Sequence, residues 1–184
     1  MKKIYSLLLL LVAALAAHAV EYKGQLIVYV NENESMQDAV ITIEENDGSY
    51  DLVLKNFKLK SDGQVMPVGN IVVTGVKGTT EYGFTTIELE RKVVITNGDD
   101  PTVEQWLGPL LGEVPLELLA KFDDHALVVG ISIDMQETLE QDIEVNFIGS
   151  NGDGSGSGNP ADVNRDGNVD VVDVNDVINA VLGK

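Results

Sequence analysis

The sequence predicts an all-β fold: an antiparallel β-barrel of about eight or nine strands, followed by a small C-terminal loop-helix appendage. Three observations carry this. Apolar residues recur with a period of two from Tyr22 to Ile148. Turn-forming clusters break that pattern at hairpin-length intervals. A helical period emerges only after a Gly/Ser-rich tether.

Residues 1–19 read as a cleavable leader. Lys2 and Lys3 form a basic start, Leu7 to Ala17 an apolar stretch, and Ala17-His18-Ala19 a small-x-small cleavage site. Val20 is then the expected first mature residue. The apolar stretch is short of the roughly 20 residues a membrane span needs. The 184-residue chain has no cysteine, which excludes disulfides, thiol chemistry and a lipobox signal. A secreted or periplasmic location follows. Without the two leader lysines, 10 basic residues stand against 30 acidic ones, a net charge of −20. Such a surface repels nucleic acid and anionic membrane.

The body, residues 20–149, opens with Leu26, Val28 and Val30 alternating with Gln25, Ile27 and Tyr29. Ala39, Ile41 and Ile43 form the next apolar face, and Asn46-Asp47-Gly48-Ser49 turns the chain. Tyr50, Leu52 and Leu54 return. The apolar parity then shifts to Phe57 and Leu59, which places a β-bulge near Lys55-Asn56. Gly63 to Gly69 reads as loop, Ile71–Val76 as strand, Lys77-Gly78-Thr79-Thr80 as turn, and Tyr82–Leu89 and Lys92–Thr96 as two strands. Asn97-Gly98-Asp99-Asp100-Pro101 breaks the pattern. Residues 102–113 hold Trp106, Leu107, Leu110 and Leu111 around Pro109. Two readings stand for them: a plug over one barrel end, or a surface loop pinned by an apolar anchor.

The last hairpin is the most regular. Leu116, Leu118, Ala120 and Phe122 alternate, Asp123-Asp124-His125 turns, and Leu127, Val129, Ile131 and Ile133 return. A polar loop through Gln136–Gln141 leads to Ile143, Val145 and Phe147. Closure into a barrel removes the unpaired edges that an open sheet would expose. The opening Tyr22-Lys23-Gly24-Gln25-Leu26-Ile27-Val28, the hairpin Ser49–Phe57 and the ending Asp142–Gly149 resemble the calycin-like, or lipocalin-like, β-barrel domains of secreted proteins from Gram-negative gut anaerobes. That resemblance implies a barrel able either to hold one small apolar ligand or to fill with side chains.

Residues 150–160 are a Gly/Ser-rich flexible linker. Together with Gly149 it reaches on the order of 20 Å. Beyond it, Asp162, Asn164, Asp166, Asp170 and Asp173 fall at positions 1, 3, 5, 9 and 12 of a loop with Gly167 at position 6. Ca²⁺ takes six to eight oxygens, and this spacing converges several of them on one point. Asn168, at position 7, supplies its backbone carbonyl. The plain alternative is a solvated acidic tail. Val174-Asn175-Asp176-Val177-Ile178-Asn179-Ala180-Val181-Leu182-Gly183-Lys184 follows the loop directly. Residues 161–184 thus resemble a single type I dockerin repeat, in which a calcium loop precedes one helix. The resemblance implies bound Ca²⁺ and a cohesin-like or other protein partner on the helix. Loop positions 10 and 11, where dockerins often carry Ser or Thr for partner selection, are Val171 and Val172.

Val171, Val174, Ile178 and Val181 line one helical face. β-branched residues make poor helices, and a lone helix this short is marginal in water. Ion and packing surface must supply the stability, the surface being the barrel, another copy of the helix, or a separate protein.

No catalytic signature is present. The predicted mature chain has one histidine, His125, in a turn, and no nucleophile-elbow sequence. The expectation is a non-enzymatic barrel attached to a protein partner through its calcium module. One alternative is a carrier of a small apolar ligand. A weaker one is an accessory protein or enzyme of polysaccharide breakdown.

Overall fold

A computed structural model describes residues 18–30, 33–61, 63–136 and 141–152. Eight strands run in chain order: β1 His18–Val30, β2 Asn33–Asn46, β3 Ser49–Ser61, β4 Gln64–Glu81, β5 Phe84–Val94, β6 Glu113–Phe122, β7 Ala126–Met135 and β8 Gln141–Ser150. One short helix, α1 Gly108–Leu111, lies between β5 and β6. Each strand pairs antiparallel with its neighbour, and β8 returns to β1 from Lys23↔Ser150 to Val30↔Ile143, closing the barrel.

The alternation read from the sequence gives the inward face. Leu26 and Val28 of β1, Ile41 of β2, Leu52 and Leu54 of β3, Ile71 and Val73 of β4, Ile87 of β5, Ala120 of β6, Leu127 of β7 and Val145 and Phe147 of β8 have no surface accessible to water. They belong to one continuous cluster. A water-sized void beside any of them would register as exposure, so the lumen is filled by side chains. That is one of the two outcomes open to eight strands.

The Asp47-Gly48 turn has positive φ at both residues, as a tight two-residue hairpin requires. The bulge falls where the parity shift put it: pairing jumps from Leu54↔Ile71 to Phe57↔Gly69, and Asn56 takes φ 54°. The β6–β7 hairpin pairs Phe122 with Leu127 around the expected turn.

Three expectations need correction. Eight strands account for the barrel, because Tyr82–Leu89 and Lys92–Thr96 are not two strands: most of both lies in the single strand β5. β4 and β5 pair only from Gly78↔Ile87 to Glu81↔Phe84, and at the splayed remainder Arg91 Nη2 donates to the Thr74 carbonyl at 3.0 Å. Lys77–Thr80 is strand, and the turn is Tyr82-Gly83. Gly78 is there because Tyr50 lies over it, an added Cβ falling 2.5 Å from the ring. Gln64–Gly69 is strand rather than loop and pairs with β3. Its Pro67 sits where the ladder is already irregular, which is where a sheet tolerates proline.

The barrel has two unlike ends. At one, the hairpins β2–β3, β4–β5 and β6–β7 turn, and the chain enters β1 and leaves β8. At the other, the long β5–β6 connection packs against β4 and β5. There Trp106 is buried, Leu107 N–H donates to the Pro67 carbonyl at 2.9 Å, and α1 packs on β4 and β5. Across residues 102–113 Trp106 is buried, Leu111 packs against the core cluster and Leu110 is exposed, so the segment is pinned to the barrel by apolar anchors.

Buried Asn70 anchors the start of that connection. Its Oδ1 accepts the Asn56 N–H at 2.8 Å and its Nδ2 donates to Asp99 Oδ1 at 3.0 Å. Its backbone exchanges two hydrogen bonds with Thr96. Asn56 Oδ1 in turn accepts the N–H groups of Asp99 and Asp100 at 2.7 and 3.0 Å.

Candidate functional site

The hairpin end is the open one. The first residues of β1 and β3 and the last of β2 and β6 bring Val20, Tyr22, Ile43, Tyr50 and Phe122 around a depression of about 290 Å³. The alternation that fills the core also aims these side chains inward, and Tyr22, Ile43, Tyr50 and Phe122 are themselves buried members of the core cluster. Tyr50 and Phe122 meet edge to face, centroids 5.3 Å apart at 75°, a favourable aromatic geometry. Tyr22 donates its hydroxyl to the Asp123 carbonyl at 2.6 Å. Burial, then the Asp123 and Asp124 carboxylates, push that hydroxyl well above the ordinary tyrosine range. It stays a neutral donor, fixing the β6–β7 turn over the floor.

The rim is polar. Asp123 Oδ1 accepts the N–H groups of His125 and Ala126, both at 2.8 Å, which orders the turn. His125 is exposed, as expected of a turn residue. Glu45 and Asp124 complete an acidic edge. Thr85 is hydrogen-bonded to Thr80 at 3.0 Å. The arrangement offers an aromatic floor and a negative rim. It suits a small apolar or cationic group and sets no activated nucleophile beside a base. Among the described residues, no group of three or more His, Cys, Asp or Glu side chains is placed to hold a metal ion.

The calcium-loop residues Asp162, Asn164, Asp166, Asn168, Asp170 and Asp173 lie outside the described residues, as do the helix after them and almost all of the linker. Residues 1–17, most of the expected leader, do too. β1 includes His18 and Ala19, which pair with Glu45 and Glu44, and Val20 pairs with Ile43. No described helix is long and apolar enough to cross a membrane.

The mouth was not anticipated from sequence. Its signal was present: Tyr22, Tyr50 and Phe122 each stand near a turn or chain end that a meander brings to the same rim.

An eight-stranded antiparallel meander, closed by its first and last strands, defines a barrel of the calycin class. Residues 19–150 match the model of the calycin-like beta-barrel domain, and the chain belongs to that family. Among solved structures it is similar to a candidate outer membrane protein from Bacteroides fragilis NCTC 9343, with 19% identity and a TM-score of 0.50. That match covers 73% of this chain and 50% of the other, so this chain spans about half the neighbour's length. No curated protein matches.

Proposed function

We propose that this protein is an extracytoplasmic, non-enzymatic binding protein. Its barrel is a rigid body, and its C-terminal module, residues 161–184, binds calcium and attaches the barrel to a protein partner. The observation that carries this is the filled lumen. With Leu26, Leu54, Ile71 and Phe147 inaccessible to water, the barrel has no deep chamber for a cargo or a reaction. Recognition falls to its surface and to the appended segment.

In that segment Asp162, Asn164, Asp166, Asp170 and Asp173 offer side-chain oxygens and Asn168 its carbonyl, a hard-oxygen donor set that fits Ca²⁺. The partner is cohesin-like or another protein that grips the helix after the loop. Location outside the cytoplasm is supported by the leader sequence and agrees with the outer-membrane description of the Bacteroides fragilis neighbour. Calorimetric titration of the mature chain with CaCl₂ tests the reading. Binding of an ion that is lost in Asp162→Ala and Asp173→Ala is expected; no calcium-dependent heat overturns it.

A second reading rests on the mouth. Tyr22, Tyr50 and Phe122 floor a space just below the usual range for small-molecule sites, roughly 300–1,000 Å³, so any ligand there is small. Titration with an apolar fluorescent probe tests it. Phe122→Ala should weaken binding, and unchanged affinity in that variant removes the site.

A further inference from the structure

One stretch of the barrel wall is not closed by its own ladder. β2 and β3 pair only from Asn46↔Ser49 to Ile41↔Leu54. Beyond that point β2 runs on beside β1 to Asn33, and β3 runs on beside β4 to Ser61. The bulge at Asn56 falls where the two part, and a bulge bends the strand that carries it. Among the described residues, no register pair joins 33–40 to 55–61.

Side chains answer the two edges instead. Lys60 Nζ donates to the Met36 carbonyl at 3.2 Å, and Gln37 Nε2 to the Lys58 carbonyl at 2.9 Å. The two-residue turn makes Asn46 and Ser49 a hydrogen-bonded pair, so every second residue of β2 counted back from Asn46 turns its N–H and C=O towards β3. Asp38 is in that phase, and no backbone group answers it on the β3 side among the described residues. Ser35, Gln37 and Ala39 stand in the inward phase, opposite Val28, Leu26 and Gly24. They keep part of their surface in water, whereas Val28 and Leu26 keep none. A similar opening between β4 and β5 is covered, because α1 packs on both strands and Leu107 N–H donates to the Pro67 carbonyl. At β2 and β3 an open groove of about 930 Å³ remains, with Gln37 and Ala39 in its lining.

The groove is the basic part of an acidic chain. Four of the ten basic residues left after the leader line it, Lys23, Lys55, Lys58 and Lys60, so it attracts what the rest of the surface repels. Lys58 meets Asp100 at 3.1 Å and Lys55 meets Asp99 at 3.8 Å, while Lys23 and Lys60 form no ion pair among the described residues. Glu21 and Asp38 are the acidic members of the lining, and Gln25 Nε2 donates to Asp38.

We propose that this opening is a docking site for an extended acidic peptide segment of a partner protein, which enters as an added strand between β2 and β3. Two backbone edges that face each other without pairing are matched by a third backbone, which offers donors and acceptors to both. Between antiparallel neighbours it runs parallel to one and antiparallel to the other. Its outward carboxylates stand beside Lys58 and Lys60, a cross-strand pairing of opposite charge. Its inward positions meet Ser35, Gln37 and Ala39, which favour small side chains. Binding exchanges the Gln37–Lys58 and Lys60–Met36 bonds for ladder bonds and frees Lys60 to meet a carboxylate. The site is separate from residues 161–184 and needs no calcium.

The test uses a fluorescein-labelled Glu-Val-Glu-Val-Glu-Val peptide with blocked ends, titrated into the full mature chain in EDTA and read by fluorescence anisotropy. Saturable binding is expected. It should weaken at least tenfold when the peptide is N-methylated at alternate residues, which keeps the charge and removes backbone donors. It should also weaken at least tenfold in the protein carrying Lys23→Glu and Lys60→Glu. Amide hydrogen exchange gives a readout free of substitutions. In the free protein the Asp38 N–H should exchange at least tenfold faster than that of Thr42, which pairs with Val53, and saturating peptide should slow it at least tenfold. The proposal is overturned by absence of binding, by unchanged affinity of the methylated peptide or of the lysine variant, or by tighter binding of an oligogalacturonate, which makes this a glycan site. Protection of Asp38 in the free chain overturns it as well: at every concentration it means that the strands are closed, and rising with concentration it means that a second copy fills the gap.

Discussion

Barrel closure depends on a contact that admits no side chain, which makes Gly24→Ala an informative substitution. β1 crosses β8 so closely at Gly24↔Gly149 that a Cβ on residue 24 would fall 1.9 Å from the Ile148 carbonyl oxygen and 2.5 Å from Gly149 Cα. Both are backbone atoms, so no rotamer change relieves the overlap. The strands must separate by about 1 Å or more, which takes a ladder hydrogen bond from about 2.9 Å to beyond its useful range. Losing one or two such bonds costs about 0.5–1.5 kcal/mol each, and forced overpacking adds about 1–3 kcal/mol. The entropic gain of Gly→Ala returns only about 0.5–1 kcal/mol. A net loss of about 2–4 kcal/mol and a Tm lower by roughly 10 °C follow. Gly130→Ala is the matched control. It lies in the same sheet, and its Cβ would meet only Asn146 Oδ1, at 3.6 Å, an ordinary contact. Stability there should be unchanged or slightly raised. Urea unfolding followed through the single tryptophan, Trp106, and through far-UV circular dichroism reports both. A Gly24→Ala midpoint equal to that of Gly130→Ala would refute the account of the seam.

Three further outcomes are expected. Asn70→Ala removes the acceptor for the Asn56 N–H and should cost about 1–3 kcal/mol, with faster hydrogen exchange at Thr96 as its local mark. The Asp100 carboxyl is lowered from its ordinary 3.8 to about 2 by the Thr102 hydroxyl, then the Thr102 N–H and Lys58. Its contribution is therefore present above about pH 4 and lost as pH falls towards 2; the stability of Asp100→Asn should vary less with pH across that window, as acid titration of the Trp106 signal will show. Asp162→Ala and Asp173→Ala should each weaken calcium binding more than tenfold in calorimetry while leaving the thermal transition of the barrel in place.

The parts of the fold that were legible in the sequence were those where a side chain had one task. Leu116, Leu118, Ala120 and Phe122 only fill the core, so their spacing gave β6, and the jump from Leu54 to Phe57 gave the bulge. Reading failed where a residue served a distant strand. Gly78 looked like a turn but makes room for Tyr50. The Gly63–Gly69 stretch read as loop, but its Pro67 offers a carbonyl to Leu107. The gap between Leu89 and Lys92 is continuous strand, where Arg91 reaches the Thr74 carbonyl. The mouth was hidden for a related reason. Tyr22 and Asp123 are 101 positions apart in sequence, and only closure makes them partners. The calcium loop needs no closure, because its proposed ligands fall within twelve consecutive residues.

One sequence signal was stronger than the alternation reading allowed. A strand with one wet face should alternate, whereas a strand covered on both faces reads as an unbroken apolar run. Leu26-Ile27-Val28 and Phe147-Ile148 break the alternation, and they do so on the two strands that meet at the seam. The structure then finds Ile27 and Ile148 dry on the outside of a barrel whose inside is already full.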